Sequence, residues 1–181
     1  MIRRIFFSLC LIAMLSGCRT VVPNQNPTGL PFPSVTGTSL TGKKVQVPTD
    51  FEGKPAVLMV GYVQRSQFDI DRWILGFIQL ETPARLVEVP TIPGLFPGLF
   101  ANRIDEGMRR GIPREDWPAV VTVYEEGADI VNFTGNVLPN NARILLVDEH
   151  GKVIWFSDRG YSGGQVKELD TLIRSLSKTT R

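Results

Sequence analysis

The run Ala56-Val-Leu-Met-Val-Gly-Tyr62 constrains the fold more than any other stretch. It is apolar without alternation and has the length of a strand. Such a run predicts a central strand buried on both faces, with a layer of structure on each side of its sheet. Ser66 to Leu80 follows with Phe68, Trp73, Ile74, Phe77 and Ile78 near helical spacing, and Pro83 limits that helix. Ala84 to Val89 reads as a second strand, closed by Pro90. Strand, helix and strand in this order predict parallel pairing of 56–62 with 84–89.

The remaining elements fit around this unit. Val35 to Pro48 reads as an N-terminal hairpin with turn chemistry at Thr41-Gly42-Lys43. Leu99 to Arg110 reads as a helix ended by Gly111 and followed by Pro113. Ala119 to Tyr124 is strand-like, and residues 127–138 read as irregular or as holding a short helix. Ala142–Val147 and Lys152–Phe156 are two strands joined by the turn Asp148-Glu149-His150-Gly151. Gln165 to Leu176 carries Val166, Leu169, Leu172, Ile173 and Leu176 on one helical face. The order predicts an α/β sandwich over residues 32–178, with a central mixed sheet, flanking helices and the hairpin in front. No internal repeat is present.

Charge and rare residues exclude several functions. Twenty Lys and Arg face 18 Asp and Glu. That near-balance argues against a nucleic-acid partner, which calls for a basic face. Two cysteines and one histidine cannot build a zinc finger, and a His-dependent triad would have to use His150. No metal site, cofactor or catalytic group is read from the chain. His150 reads as a solvated turn residue and Asp148 as a turn former. Asp158 reads as part of the loop after the strand, and Ser66 as a helix cap. Asp69 and Asp71 are two apart on the first helix and do not face each other. They read as carboxylates complementing the helix dipole.

The N-terminus has a targeting pattern. Arg3 and Arg4 precede an apolar stretch from Ile5 to Leu15, followed by Ser16, Gly17 and Cys18. A basic start, a short apolar core and small residues before a cut describe a signal peptide over residues 1–17. The stretch is too short to span a bilayer, which takes about twenty residues. Leu15-Ser16-Gly17-Cys18 resembles the bacterial lipobox, which implies lipidation of Cys18 and a palmitate-type anchor in the cell envelope. Arg19, where an Asp would signal inner-membrane retention, implies the outer membrane, facing the periplasm. Several acyl chains anchor stably because each buried methylene adds about 0.8 kcal/mol. Cleavage before Cys18 removes 17 of the 181 residues and leaves 164, with 18 basic residues opposite 18 acidic ones. Cys10 leaves with the leader and Cys18 becomes a thioether, so no free thiol is expected. Residues 18–31, with prolines at 23, 27 and 31, read as a lipidated, extended tether lifting the domain off the membrane.

Three blocks carry a family likeness. Phe32-Pro-Ser-Val-Thr-Gly-Thr-Ser-Leu-Thr-Gly-Lys-Lys-Val45, Asp71-Arg72-Trp73, and Ile144-Leu-Leu-Val-Asp-Glu-His-Gly-Lys-Val-Ile-Trp-Phe156 resemble the thioredoxin superfamily. Within it they look like the mitochondrial assembly factors of the F-type ATP synthase, over roughly residues 32–176. The resemblance implies a thioredoxin-like fold and an assembly or binding role. Val153-Ile154-Trp155 lacks the Arg that precedes the family's Trp. A redox thioredoxin has Cys-x-x-Cys just after its first central strand and a cis-proline before the later hairpin strand. Here those places hold Val63-Gln-Arg-Ser-Gln-Phe68 and Asn140-Asn-Ala142, with the nearest proline at 139.

One further stretch stands out. Ile92-Pro-Gly-Leu95-Phe96-Pro-Gly-Leu99-Phe100 is apolar yet broken by Pro and Gly. It reads either as a loop folded back on the core or as a partner-binding loop using Ile92, Leu95, Phe96, Leu99 and Phe100. The sequence thus points to a membrane-tethered, redox-inactive thioredoxin-like lipoprotein that binds an envelope protein or assists assembly. The alternative is a thiol-independent enzyme, or a peroxiredoxin-related oxidoreductase that has lost its cysteines.

Overall fold

The computed structural model describes residues 21–93 and 101–179. Its elements, in chain order, are β1 (Val35–Ser39), β2 (Lys44–Val47), β3 (Ala56–Gly61), α1 (Gln67–Gln79), β4 (Arg85–Pro90), α2 (Ala101–Gly111), β5 (Val121–Thr122), α3 (Gly127–Thr134), β6 (Arg143–Val147), β7 (Val153–Ser157) and α4 (Gly163–Thr179).

Every residue of β3 is buried, as its unbroken apolar run requires. It pairs parallel with β4, from Ala56 opposite Arg85 to Gly61 opposite Pro90, with α1 as the crossover. On its other side it pairs antiparallel with β6, which pairs antiparallel with β7. The central sheet is therefore mixed, in the order β4-β3-β6-β7. A smaller antiparallel sheet, β2-β1-β5, is joined to it by parallel bridges from Glu88 to Val120 and from Thr91 to Val123.

The period of two along each strand sorts the core into two layers. Val57, Met59, Ile144 and Leu146 pack against α1 and α4 through Trp73, Phe77, Leu169 and Ile173. Leu58, Val60, Leu145 and Val147 point the other way, onto Val35 and Val47 of the hairpin and Ile130 of α3. Trp73 is the hub of the first layer, with its ring centroid 5.9 Å from Phe77, 6.0 Å from Tyr161 and 6.1 Å from Trp155.

Both expected hairpins are present. Val35 lies opposite Val47, and the β6–β7 turn is closed by Asp148, whose Oδ1 accepts the His150 and Lys152 amides at 2.9 Å each. The His150 side chain is exposed, as a turn residue should be. The short helix left open for residues 127–138 is present as α3, Gly127–Thr134. The strand-like stretch 119–124 pairs from Val120 to Val123, with Ala119 taken into a tight helical turn over Arg114–Ala119. One reading is corrected. Residues 21–31 do not stand off as a free tether. Backbone bonds run from Gln25 N–H to the Thr134 carbonyl, from Gly29 N–H to the Val153 carbonyl and from Val153 N–H to the Leu30 carbonyl. A segment that pairs with the start of β7 covers that end of an edge strand, a need that composition does not reveal. Among the described residues, no helix is long and apolar enough to cross a membrane.

Candidate functional site

The carboxyl ends of β3 and β4 form one rim, where α/β sheets place their binding sites. Thr91 N–H donates to the Gly61 carbonyl at 2.8 Å and holds the two strand ends together. From Gly61 the chain passes through Tyr62, Val63 and a single turn at Gln64–Ser66 into α1. Ser66 is buried against Gly61, where a Cβ would come within 2.5 Å of the Ser66 hydroxyl. That close approach accounts for a glycine inside an otherwise large-residue strand. Ser66 holds the N-cap position of α1, as read, but its hydroxyl donates to the Val63 carbonyl at 2.6 Å and makes no cap bond to the helix.

Asp69 is the central side chain of this opening. It is 4% exposed. Its Oδ2 accepts the Ala142 amide at 2.9 Å and its Oδ1 the Tyr161 amide at 2.7 Å. The carboxylate therefore staples the start of α1 to the residue before β6 and to the loop before α4. Arg72 approaches from solvent at 3.9 Å. Reading Asp69 only as a dipole partner missed this, because both acceptor bonds reach residues distant in sequence.

Around Asp69 lies an open cavity of about 350 Å³, lined also by Arg65, Phe68, Arg72, Asn140 and Asn141. Beside the Asp69 carboxylate it presents two guanidinium groups and two carboxamides, and the guanidinium groups suit carbonyl or carboxylate groups of a partner. Beneath it sits Arg143, fully buried at the start of β6. Its Nη1 donates to the Leu138 and Asn141 carbonyls at 3.2 and 2.7 Å. Its Nη2 donates to the Val137 carbonyl at 2.6 Å and to Asn24 Oδ1 at 3.1 Å. The guanidinium lies 5.2 Å from the Tyr62 ring centre. Burial pulls the Arg143 pKa below its ordinary value and pushes that of Tyr62 up to about 12. The Tyr62 hydroxyl bonds the Ile130 carbonyl and the Thr134 hydroxyl. On β4, burial raises the Glu88 carboxyl, opposed by a 3.0 Å bond from Gln67 at the start of α1.

Of the site residues read from sequence, Ile92 is half-buried at this rim, its N–H donating to the Val123 carbonyl at 2.9 Å. Leu95, Phe96, Leu99, Phe100 and Cys18 lie outside the described residues. The stretch after β3 carries amide, guanidinium, hydroxyl and carboxylate groups, and both cysteines of the chain, Cys10 and Cys18, precede the described residues. The cis peptide bond among the described residues is Val47–Pro48, and Ala142 occupies the position before β6. No group of three His, Cys, Asp or Glu among the described residues is placed to hold a metal ion.

A βαβ unit, an antiparallel β6–β7 hairpin and a closing helix around one mixed sheet define a thioredoxin-like fold, and solved structures agree. Yeast Sco1 with copper bound superposes with a TM-score of 0.56 at 12% identity, over 83% of this chain and 95% of that one. A SCO1/SenC family lipoprotein from Bacillus anthracis gives 0.55 at 14% identity, over 86% and 99%. A thiol peroxidase from Chromobacterium violaceum gives 0.55 at 11%, over 88% and 93%. No family model and no curated protein matches the chain, so the likeness to ATP synthase assembly factors remains a resemblance.

Proposed function

We propose that this chain is a lipid-anchored protein of the bacterial envelope that uses a thioredoxin-like domain to bind envelope proteins or assist their assembly, without thiol chemistry. One observation carries the reading. Where a redox thioredoxin opens its helix with cysteines, this chain has Arg65 on the cavity and Asp69 bonded to two backbone amides. A carboxylate engaged in this way holds the rim together and cannot form a disulfide. The lipobox-like sequence before Cys18 supports the anchor, and the apolar run from Ile92 to Phe100 supports a protein partner. In this reading Leu95, Phe96, Leu99 and Phe100 supply the apolar contact and Arg65 and Arg72 the polar one.

A soluble form beginning at Arg19 contains no cysteine and is expected neither to reduce insulin nor to turn over peroxide. Measurable turnover overturns the reading. Phe96→Ser is expected to lower partner recovery from solubilised membranes while leaving the melting temperature unchanged. A large drop in melting temperature would place the loop in the core instead.

A further inference from the structure

The segment that leads into the domain is fastened to the same rim, on its β6–β7 side. Val22 N–H donates to Asn136 Oδ1 at 2.8 Å, and Asn136 N–H donates back to the Val22 carbonyl at 2.9 Å. Asn24 is the centre of the strap. Its Oδ1 accepts from the Val137 amide at 2.8 Å and from Arg143 at 3.1 Å, and its Nδ2 donates to Asp158 at 2.6 Å. Gly135, at φ +75°, makes room for the strap, because a Cβ there would fall 2.3 Å from the Pro23 carbonyl oxygen. The strap is therefore a built contact with a specific seat.

The seat limits where an anchor can be. Cys18 precedes Val21 by three residues, and an extended chain advances at most about 3.6 Å per residue, so the two lie within roughly 11 Å of each other. A lipid on Cys18 then leaves no room for a long tether and draws the β6–β7 side of the rim onto the bilayer. The surface at that point is suited to it. Val21 is 68% exposed, Leu138 64% and Val137 39%. Arg159 is exposed beside the strap, while Asp158 is engaged by Asn24. Apolar side chains next to a cation match an interface of acyl chains and anionic headgroups. We infer that Val21, Val137 and Leu138 form a membrane-contact face that seats the domain on anionic phospholipid, with the strap fixing its orientation. This inference rests on the lipid-anchor reading. It leaves the β4 side of the rim, with Ile92, turned toward a partner lying at the membrane.

The test uses the full-length lipidated protein in vesicles of phosphatidylcholine and phosphatidylglycerol. Leu138→Cys and His150→Cys are labelled singly with an environment-sensitive nitrobenzoxadiazole. His150 reports from the opposite end of β6. Both proteins are expected to float with the vesicles. Nitroxide lipids should quench the label at 138 about threefold or more over that at 150, as for a side chain at the headgroup boundary. Equal quenching in floating protein overturns the inference and leaves the anchor standing. Failure to float overturns the anchor reading, and the inference with it. Combining Asn24→Ala with Gly135→Ala should preserve flotation and abolish the excess quenching at 138. Retained quenching would refute the strap as the orienting element.

Discussion

Replacing Asp69 by alanine removes the acceptors that the described residues give to two amides in the rim, those of Ala142 and Tyr161. Each is a hydrogen bond to a charged group at normal length, worth about 1.5–3 kcal/mol, and truncation leaves the donors without a partner. Arg72 at 3.9 Å is largely exposed and adds little. The expected loss for Asp69→Ala is therefore about 3–5 kcal/mol, a large share of the 5–15 kcal/mol that holds a domain together. Asp69→Asn keeps the shape and one acceptor oxygen but turns an amide group toward the other donor, so it should lose about half as much. Urea unfolding followed by tryptophan fluorescence reads both variants, since Trp73 is buried one turn further along α1. In a domain of this size a loss of about 4 kcal/mol lowers Tm by roughly 8–16 °C. A loss below about 1 kcal/mol for Asp69→Ala would refute the staple, because a carboxylate needed only for the helix dipole contributes no more than that.

The other predictions concern the same rim. Gly61→Ala should destabilise by about 1–3 kcal/mol through overpacking on Ser66, and adding Ser66→Ala should recover part of the loss. A double-mutant cycle with no coupling refutes the close approach. Arg143→Lys should lose about 2–4 kcal/mol, because an ammonium cannot span the three carbonyls and Asn24, and hydrogen exchange should rise over residues 137–142. Unchanged exchange there would count against the guanidinium as what orders that loop. Burial raises the pKa of Tyr62 to about 12 and, aided by Asp105, raises that of Tyr124 as well. A raised pKa favours the protonated hydroxyl in the folded state. The stability is therefore fully present below about pH 10 and is lost as pH rises through the folded values. Of the full tyrosine ionisation change at 295 nm, at most about one third should appear below about pH 11, since two of the three tyrosines resist it. Earlier ionisation in folded protein would contradict their burial.

Local pattern was enough to read the scaffold. The unbroken apolar run of β3, the helical spacing from Phe68 to Ile78 and the Asp148–Gly151 turn each follow from near-neighbour chemistry, and the mixed sheet assembles as that chemistry requires. The sequence also settles by itself that no cysteine occurs after Cys18. The rim's construction was not legible, because its bonds join residues far apart in the chain. Asp69 meets Ala142 73 residues away and Tyr161 92 away, and Asn24 meets Arg143 119 away. An aspartate in a first helical turn looks the same whether its carboxylate faces water or two buried amides. A proline- and asparagine-rich segment likewise reads the same free or docked. Only the tertiary structure brings Gly135 against Pro23 and seats the strap on the loop before β6, because docking depends on where the surface of the folded domain offers partners for the segment's backbone.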